Sequence, residues 1–110
     1  MATRSLIGIR LPSGTIRGIY CHWDGYPDGV GKILKEHYTE GNRVEQLLKL
    51  GDISELAESL GKTVAYHRDR GEDLEPNWQS APERLKAEMN KHGAEYAYVF
   101  DGGTWEVIKG

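Results

Sequence analysis

The segment 20–27 carries the densest group of chemically active side chains in the sequence. Five of its residues are expected to bind a ligand: Tyr20, His22, Trp23, Asp24 and Tyr26. The three aromatic rings can stack on a planar group, and the imidazole and the carboxylate can hydrogen-bond a sugar or the edge of a base. This segment also joins a predicted strand to a predicted helix, where free N–H groups favour an anion. The structural alternative is a tight corner whose aromatic side chains fill one end of the core.

A second segment, 66–73, contains two arginines beside a glycine. The residues expected to bind a ligand here are His67, Arg68, Arg70 and Glu72. A guanidinium group can bind a phosphate or a carboxylate through two parallel hydrogen bonds. Only Tyr66 adds an aromatic ring, so a nucleotide would need this segment and the aromatic segment 20–27 to lie side by side. The structural alternative is a solvated loop whose opposite charges pair weakly.

Metal and nucleophile patterns are not found in the sequence. A zinc site needs paired ligands such as Cys-x-x-Cys or His-x-x-x-His, and neither spacing occurs. Cys21 and His22 are neighbours on a predicted strand, so their side chains point to opposite faces. Cys21 is therefore expected to be a buried hydrophobic residue. We expect no catalytic residue, no metal and no cofactor. The remaining enzymatic alternative is a small hydrolase that uses His22, Asp24 or His67 as its general base.

The composition is that of an ordinary globular domain. The chain has 110 residues, of which 38% are hydrophobic and 28% charged, so a single domain over 1–110 is expected. No apolar stretch is long enough to span a membrane. The net charge of −3 disfavours general DNA binding. One cysteine and the lack of a secretory signal favour a cytoplasmic location.

Two β-hairpins are predicted, one at each end of the chain. The first pairs 6–11 with 15–22 around Pro12-Ser13-Gly14, and the second pairs 95–100 with 104–108 around Asp101-Gly102-Gly103. Because an isolated hairpin is only marginally stable, the two are expected to share one sheet.

Helices are predicted between the hairpins. The apolar spacing predicts them at 27–38, 42–50, 52–60 and 80–93, with Ser80 and Glu83 forming a capping box at the start of the last one. A short strand is expected at 63–66 and a charged loop at 67–73. The predicted fold class is α+β: an antiparallel sheet, built from the N- and C-terminal hairpins and covered on one face by three or four short helices.

The order of residues in several segments resembles a family of small proteins of phages, prophages and their bacterial hosts. The similar segments cover nearly the whole chain: 19–27, Val30-Gly31, His37-Tyr38, 50–54, 66–72 and 96–105. The resemblance implies a biological context more than an activity. Compact phage accessory proteins often blunt host defence, either by sequestering a nucleotide signal or by blocking a defence protein. It also implies the cytoplasm of the host cell as the location, if the protein is phage-encoded.

Three functions follow as hypotheses. The first is a non-enzymatic module that binds a small anionic ligand, such as a nucleotide or an ADP-ribose-like defence signal. The second is a protein-binding inhibitor of a host defence enzyme, and the third is the small hydrolase. The expected partners are therefore a small anionic or nucleotide ligand or a host defence protein, and the chain could also form a homo-oligomer.

Overall fold

The computed structural model describes residues 2–110. Within that range the chain forms seven strands and four α-helices. The strands are β1 (Ser5–Arg10), β2 (Ile16–Cys21), β3 (Ile53–Glu55), β4 (Val64–Ala65), β5 (Trp78–Ser80), β6 (Tyr96–Asp101) and β7 (Thr104–Lys109). The helices are α1 (Lys32–His37), α2 (Gly41–Lys49), α3 (Tyr66–Arg70) and α4 (Leu85–His92). A π-helical turn, Pro27–Gly31, leads into α1, and a 3-10 turn, Pro82–Arg84, leads into α4.

The two predicted hairpins are present and share one sheet, and the predicted α+β class is confirmed. The strand order is β4-β3-β2-β1-β6-β7, with β5 also pairing with β2. Each hairpin is antiparallel, but β1 and β6 run parallel where the hairpins meet. The tight turn between β6 and β7 depends on Gly102 and Gly103, because both adopt positive φ (60° and 94°) and such a two-residue turn needs that backbone.

Helices cover both faces of the sheet, whereas the sequence predicted cover on one. Alternate strand residues point to opposite faces, so Ile7 packs in one hydrophobic cluster and Leu6 in the other. The first cluster contains buried residues of α1 and α2, and the second contains Leu85 and Met89 of α4. The sheet is thus the middle layer of the molecule.

Two local predictions are wrong: strand pairing replaces the start of a predicted helix, and a predicted loop begins as a helix. The segment 52–60, predicted as a helix, begins with β3, since Ile53 pairs with Cys21 of β2 and with Ala65 of β4. The segment 67–73, predicted as a loop, begins within α3. The capping box is also absent: Ser80 lies in β5, and its hydroxyl donates to the carbonyl of Ala81.

Strand β5 was not predicted, and it determines the packing of one sheet face. It pairs with β2 so that Trp78 lies opposite Gly18. The indole packs directly on Gly18 and Gly8, where an added Cβ would lie 2.6 Å and 3.0 Å from ring atoms of Trp78. Two glycines on adjacent strands therefore provide the space for the largest side chain on this face.

Candidate functional site

The segment 20–27 is held at the end of β2 by backbone hydrogen bonds to β3. The N–H of His22 donates to the carbonyl of Ile53 (3.1 Å), and that of Trp23 donates to the carbonyl of Ser54 (3.0 Å). At Asp24 the chain turns sharply, with a positive φ of 57°. The hydroxyl of Tyr98 then donates to the carbonyl of Gly25 (2.6 Å), in the core. Backbone and core contacts thus position this segment before any ligand binds.

The structural alternative required the aromatic side chains of this segment to fill one end of the core, but they do not all do so. Trp23 is 44% exposed and Tyr26 is 42% exposed. Tyr20 is half-buried, and its hydroxyl lies 2.7 Å from Nδ1 of His22. The Trp23 ring stands edge-on to His22, with 4.8 Å between the ring centroids. One exposed indole is therefore supported by an imidazole and a phenol behind it.

The start of the following helix does not offer the free N–H groups that an anion would need. The N–H groups of Gly29 and Gly31 donate to the carbonyl of Tyr26, and that of Val30 donates to the carbonyl of Asp24. The carboxylate of Asp24 accepts a hydrogen bond from the hydroxyl of Tyr26 (3.3 Å). An anionic group near this corner would therefore have to be bound by a side chain.

Arg68 is engaged by its own part of the chain. Its guanidinium donates to both carboxylate oxygens of Asp69 and to the carbonyls of Leu60 and Thr63. Asp69 also accepts the N–H of Ala65 (2.8 Å). The hydrogen bond from Arg68, followed by that backbone bond, holds the pKa of Asp69 below its ordinary value. Arg68 thus ties α3 to the preceding turn, and its expected role as an anion contact is not supported.

Arg70 differs from Arg68 in having no carboxylate partner within residues 2–110. It lies over the ring of Tyr66, 5.2 Å from the ring centroid, and Nη2 donates to Oγ of Ser54 (3.4 Å). Over residues 2–110 no carboxylate lies within ion-pair distance of it. Its position is set by stacking on an aromatic ring and by one hydroxyl, so its charge stays available for a ligand.

Strand β3 brings the two segments together. Ser54 accepts the N–H of Trp23 through its carbonyl and a hydrogen bond of Arg70 through its hydroxyl. Asp52 makes a second link, because its carboxylate accepts the N–H of Tyr20 (2.9 Å) and its carbonyl accepts that of Tyr66 (3.2 Å). We call two side-chain pairs that Ser54 and Asp52 link, His22 with Trp23 and Tyr66 with Arg70, the aromatic–arginine patch.

The other predicted site residues of the second segment line a separate cleft of about 480 Å³. Its walls are formed by Asp52, Tyr66, His67, Gly71, Glu72, Asp73, Leu74 and Glu75. Four of these residues carry a carboxylate, so phosphate groups would be repelled from this cleft. His67 donates from Nδ1 to the carbonyl of Glu72 (2.7 Å). His67 and Glu72 therefore lie at a cleft whose charge disfavours an anion, and their predicted role in binding one stays a prediction.

Sequence reasoning missed two residues that lie behind the patch. The ring of His92 stacks on Tyr20, with 6.0 Å between centroids, and its Nε2 lies 2.9 Å from a carboxylate oxygen of Glu88. Both belong to α4, which is far from Tyr20 in sequence. The only sequence signal for this contact was the helical spacing that places His92 on the inner side of α4. That spacing does not reveal which residue His92 packs against.

No protein-family model, curated protein or solved structure matches the chain. The likeness to phage and prophage proteins stays a prediction. None of the helices described between residues 2 and 110 has the length and apolar character needed to cross a bilayer. The same residues contain no group of three or more His, Cys, Asp or Glu side chains that could hold a metal ion.

Cys21 is expected to be unreactive in the folded protein. It is fully buried, and burial raises the pKa of its thiol to about 12, so almost no thiolate forms near neutral pH. We expect a thiol reagent to label the native protein many times more slowly than the unfolded protein, and Cys21→Ala to leave ligand binding unchanged. Labelling followed by mass spectrometry checks this, and rapid modification of the folded chain would restore the nucleophile hypothesis.

Proposed function

We propose that the protein is a non-enzymatic binding module that captures a small nucleotide-like ligand on the aromatic–arginine patch. One observation carries this proposal: Ser54 accepts the main-chain N–H of Trp23 and a hydrogen bond from the Arg70 guanidinium. It therefore links a residue with an exposed indole to an arginine that has no acidic partner within residues 2–110. A nucleotide needs both kinds of contact at once, a flat surface for its base and a positive charge for its phosphate.

The patch suggests a division of roles among its residues. The base would stack on Trp23, a contact worth about 1–3 kcal/mol per base. The guanidinium of Arg70 would bind the phosphate, while its stacking on Tyr66 limits the conformational freedom lost on binding. His22 would hydrogen-bond the sugar or the base edge. The acidic cleft beside Tyr66 would keep the phosphate on the Arg70 side by repulsion.

The resemblance to phage proteins suggests which ligands to test first. A phage accessory protein of this kind would sequester a nucleotide or an ADP-ribose-like signal of host defence. Sequestration requires binding without turnover. The histidines among the predicted site residues fit that requirement, because His22 lies against the Tyr20 hydroxyl and His67 against a main-chain carbonyl. Within residues 2–110 neither histidine is hydrogen-bonded to a serine, threonine or cysteine side chain.

A protein-binding inhibitor of a defence enzyme is the second candidate. Trp23 and Tyr26 are both exposed and lie three residues apart in the sequence. Aromatic residues are enriched at the centres of protein interfaces. The two candidates make different demands on Arg70. A nucleotide needs its charge, whereas a protein partner could use the two aromatic rings without it.

A thermal-shift screen tests the first candidate. Cyclic dinucleotides, cyclic ADP-ribose isomers and NAD-related compounds should be compared, since a ligand at about 100 times its dissociation constant stabilises the fold by about 2.7 kcal/mol. We expect one of these classes to raise the melting temperature of the native chain. Trp23→Ala should abolish that shift, and Trp23→Phe should retain part of it because a phenyl ring still stacks. A flat screen across all classes would contradict the proposal and favour the protein partner.

A further inference from the structure

Among residues 2–110, the outer edge of β7 has no β-strand partner. Strand β7 ends the strand order of the sheet. The N–H of Gly110 donates to the carbonyl of Glu95 (2.8 Å). Because backbone groups alternate in direction along an antiparallel strand, the even-numbered residues from 104 to 108 form their backbone hydrogen bonds with β6. The backbone groups of Trp105, Val107 and Lys109 therefore point away from the sheet. Within residues 2–110 no other segment bonds to them.

This edge carries charged side chains at Glu106 and Lys109, but it lacks two other features that protect an edge, a bulge and a proline. The pairing of β7 with β6 runs without a bulge from Asp101–Thr104 to Tyr96–Lys109, and β7 contains no proline. Val107, at its middle, is 37% exposed. The opposite end of the sheet differs, because β4 has only two residues and leads directly into α3. A regular, open edge presents a row of backbone N–H and C=O groups that can pair with another strand.

We propose that β7 pairs with β7 of a second copy of this chain, antiparallel, around a two-fold axis through Val107. The sheet would then continue through both copies. Symmetry restricts the register. The axis is perpendicular to the sheet, so two residues that lie opposite each other must have side chains on the same side of the sheet. In each hydrogen-bonded pair, the backbone N–H and C=O groups of both residues must point away from their own sheet.

Two registers of equal length meet these conditions, and charge distinguishes them. Centring on Glu106 would place the Glu106 carboxylates of the two copies directly opposite each other, which is destabilising. Centring on Val107 pairs Val107 with Val107 of the second copy and places Lys109 against the Trp105 ring of the second copy, a favourable cation–π arrangement. Registers centred on Trp105 or Ile108 leave a shorter ladder. Charge and ladder length thus favour the register centred on Val107.

The partner is a second copy because this edge is self-complementary in that register. In that register each Glu106, which lies 3.6 Å from Arg10 of its own chain, faces Ile108 of the second copy and not the other Glu106. A ladder over 105–109 buries a small area, which places the dimer among weak, concentration-dependent complexes.

The mass in solution tests this proposal. Sedimentation equilibrium across the micromolar-to-millimolar range should show the native chain shifting from 12.4 kDa to twice that mass. Val107→Glu should remain monomeric, because it places like charges at the two-fold axis. Val107→Pro should do the same and still fold, since the lost N–H has no partner within the chain. The matched control is Leu74→Glu, another exposed aliphatic residue, which should dimerise like the native chain.

The register is tested by disulfide formation. Hydrogen-bonded antiparallel neighbours have Cα atoms about 5.5 Å apart, within the range that a disulfide spans. Val107→Cys should cross-link to itself under mild oxidation and Glu106→Cys should not, while the buried native Cys21 stays unlinked. A native chain that is monomeric at all concentrations would overturn the proposal. So would a dimer that persists in both Val107→Glu and Val107→Pro.

Discussion

Replacing Gly18 by alanine is expected to lower the free energy of unfolding by about 3 kcal/mol, the upper part of the range for overpacked cores. An added Cβ would collide with the carbonyl oxygen of Ile7 and lie 2.6 Å from Cζ2 of Trp78 and 2.7 Å from Cα of Gly8. Two of these neighbours are backbone atoms of the central strand, which cannot move without disturbing the whole sheet. Relief would require displacing the Trp78 ring and separating β1 from β2.

Urea denaturation of Gly18→Ala measures this cost, with Gly61→Ala as the matched control. Gly61 lies in a turn, where a Cβ would have no atom within 4 Å and φ is ordinary. Its replacement should leave the stability unchanged or raise it by a few tenths of a kcal/mol, because alanine loses less backbone entropy on folding. Equal stability of the two variants would show that Trp78 does not pack on Gly18 as described.

Arg70→Ala is expected to weaken nucleotide binding by roughly 10- to 100-fold, the effect of losing a charge-assisted hydrogen bond. The fold should be unaffected, because the Arg70 side chain makes one long hydrogen bond, to the Ser54 hydroxyl, and one stacking contact. Titration calorimetry with the ligand found in the screen measures the dissociation constant. Thermal melting without ligand measures the effect on the fold.

Arg68→Ala provides the control within the same helix. It removes the same charge two residues away, but it also breaks hydrogen bonds to Asp69 and to the carbonyls of Leu60 and Thr63. We expect its melting temperature to fall by a few degrees while the dissociation constant of the folded protein changes little. If Arg68→Ala lost binding and Arg70→Ala retained it, the assignment of the two arginines would be reversed.

The hairpins were predictable because the interactions that specify them are local. Alternating apolar residues define each strand, and the residues that form the turn lie between them in sequence. Gly102 and Gly103 show this clearly: both supply the positive φ that a two-residue turn needs, whatever surrounds it. The helix 27–38 was predictable for the same reason, since Val30 and Leu34 mark its buried side.

The short strand β4 was predicted at 63–66, but β3 and β5 could not be predicted, because partners distant in sequence determine them. Residues 52–60 have apolar spacing suited to a helix, yet Ile53 extends to pair with Cys21. Strand β5 depends on Gly18 in the same way, since only a strand without side chains at that point admits Trp78. Both cases show a weak local preference overridden by backbone hydrogen bonds and by burial.

For the candidate site, the sequence alone determined which side chains are available: aromatic rings after β2 and two arginines after β4. Only the tertiary structure decided which of them act together. Arg68 and Arg70 are two residues apart and chemically identical, but Arg68 lies beside main-chain carbonyls and Asp69, whereas Arg70 lies over Tyr66 and beside Ser54. The difference arises because a guanidinium binds the acceptors that the packed chain places within reach. The acceptors from distant segments lie in β3 for Arg70 and in the turn before β4 for Arg68. No local sequence pattern specifies that these segments will lie beside the two arginines.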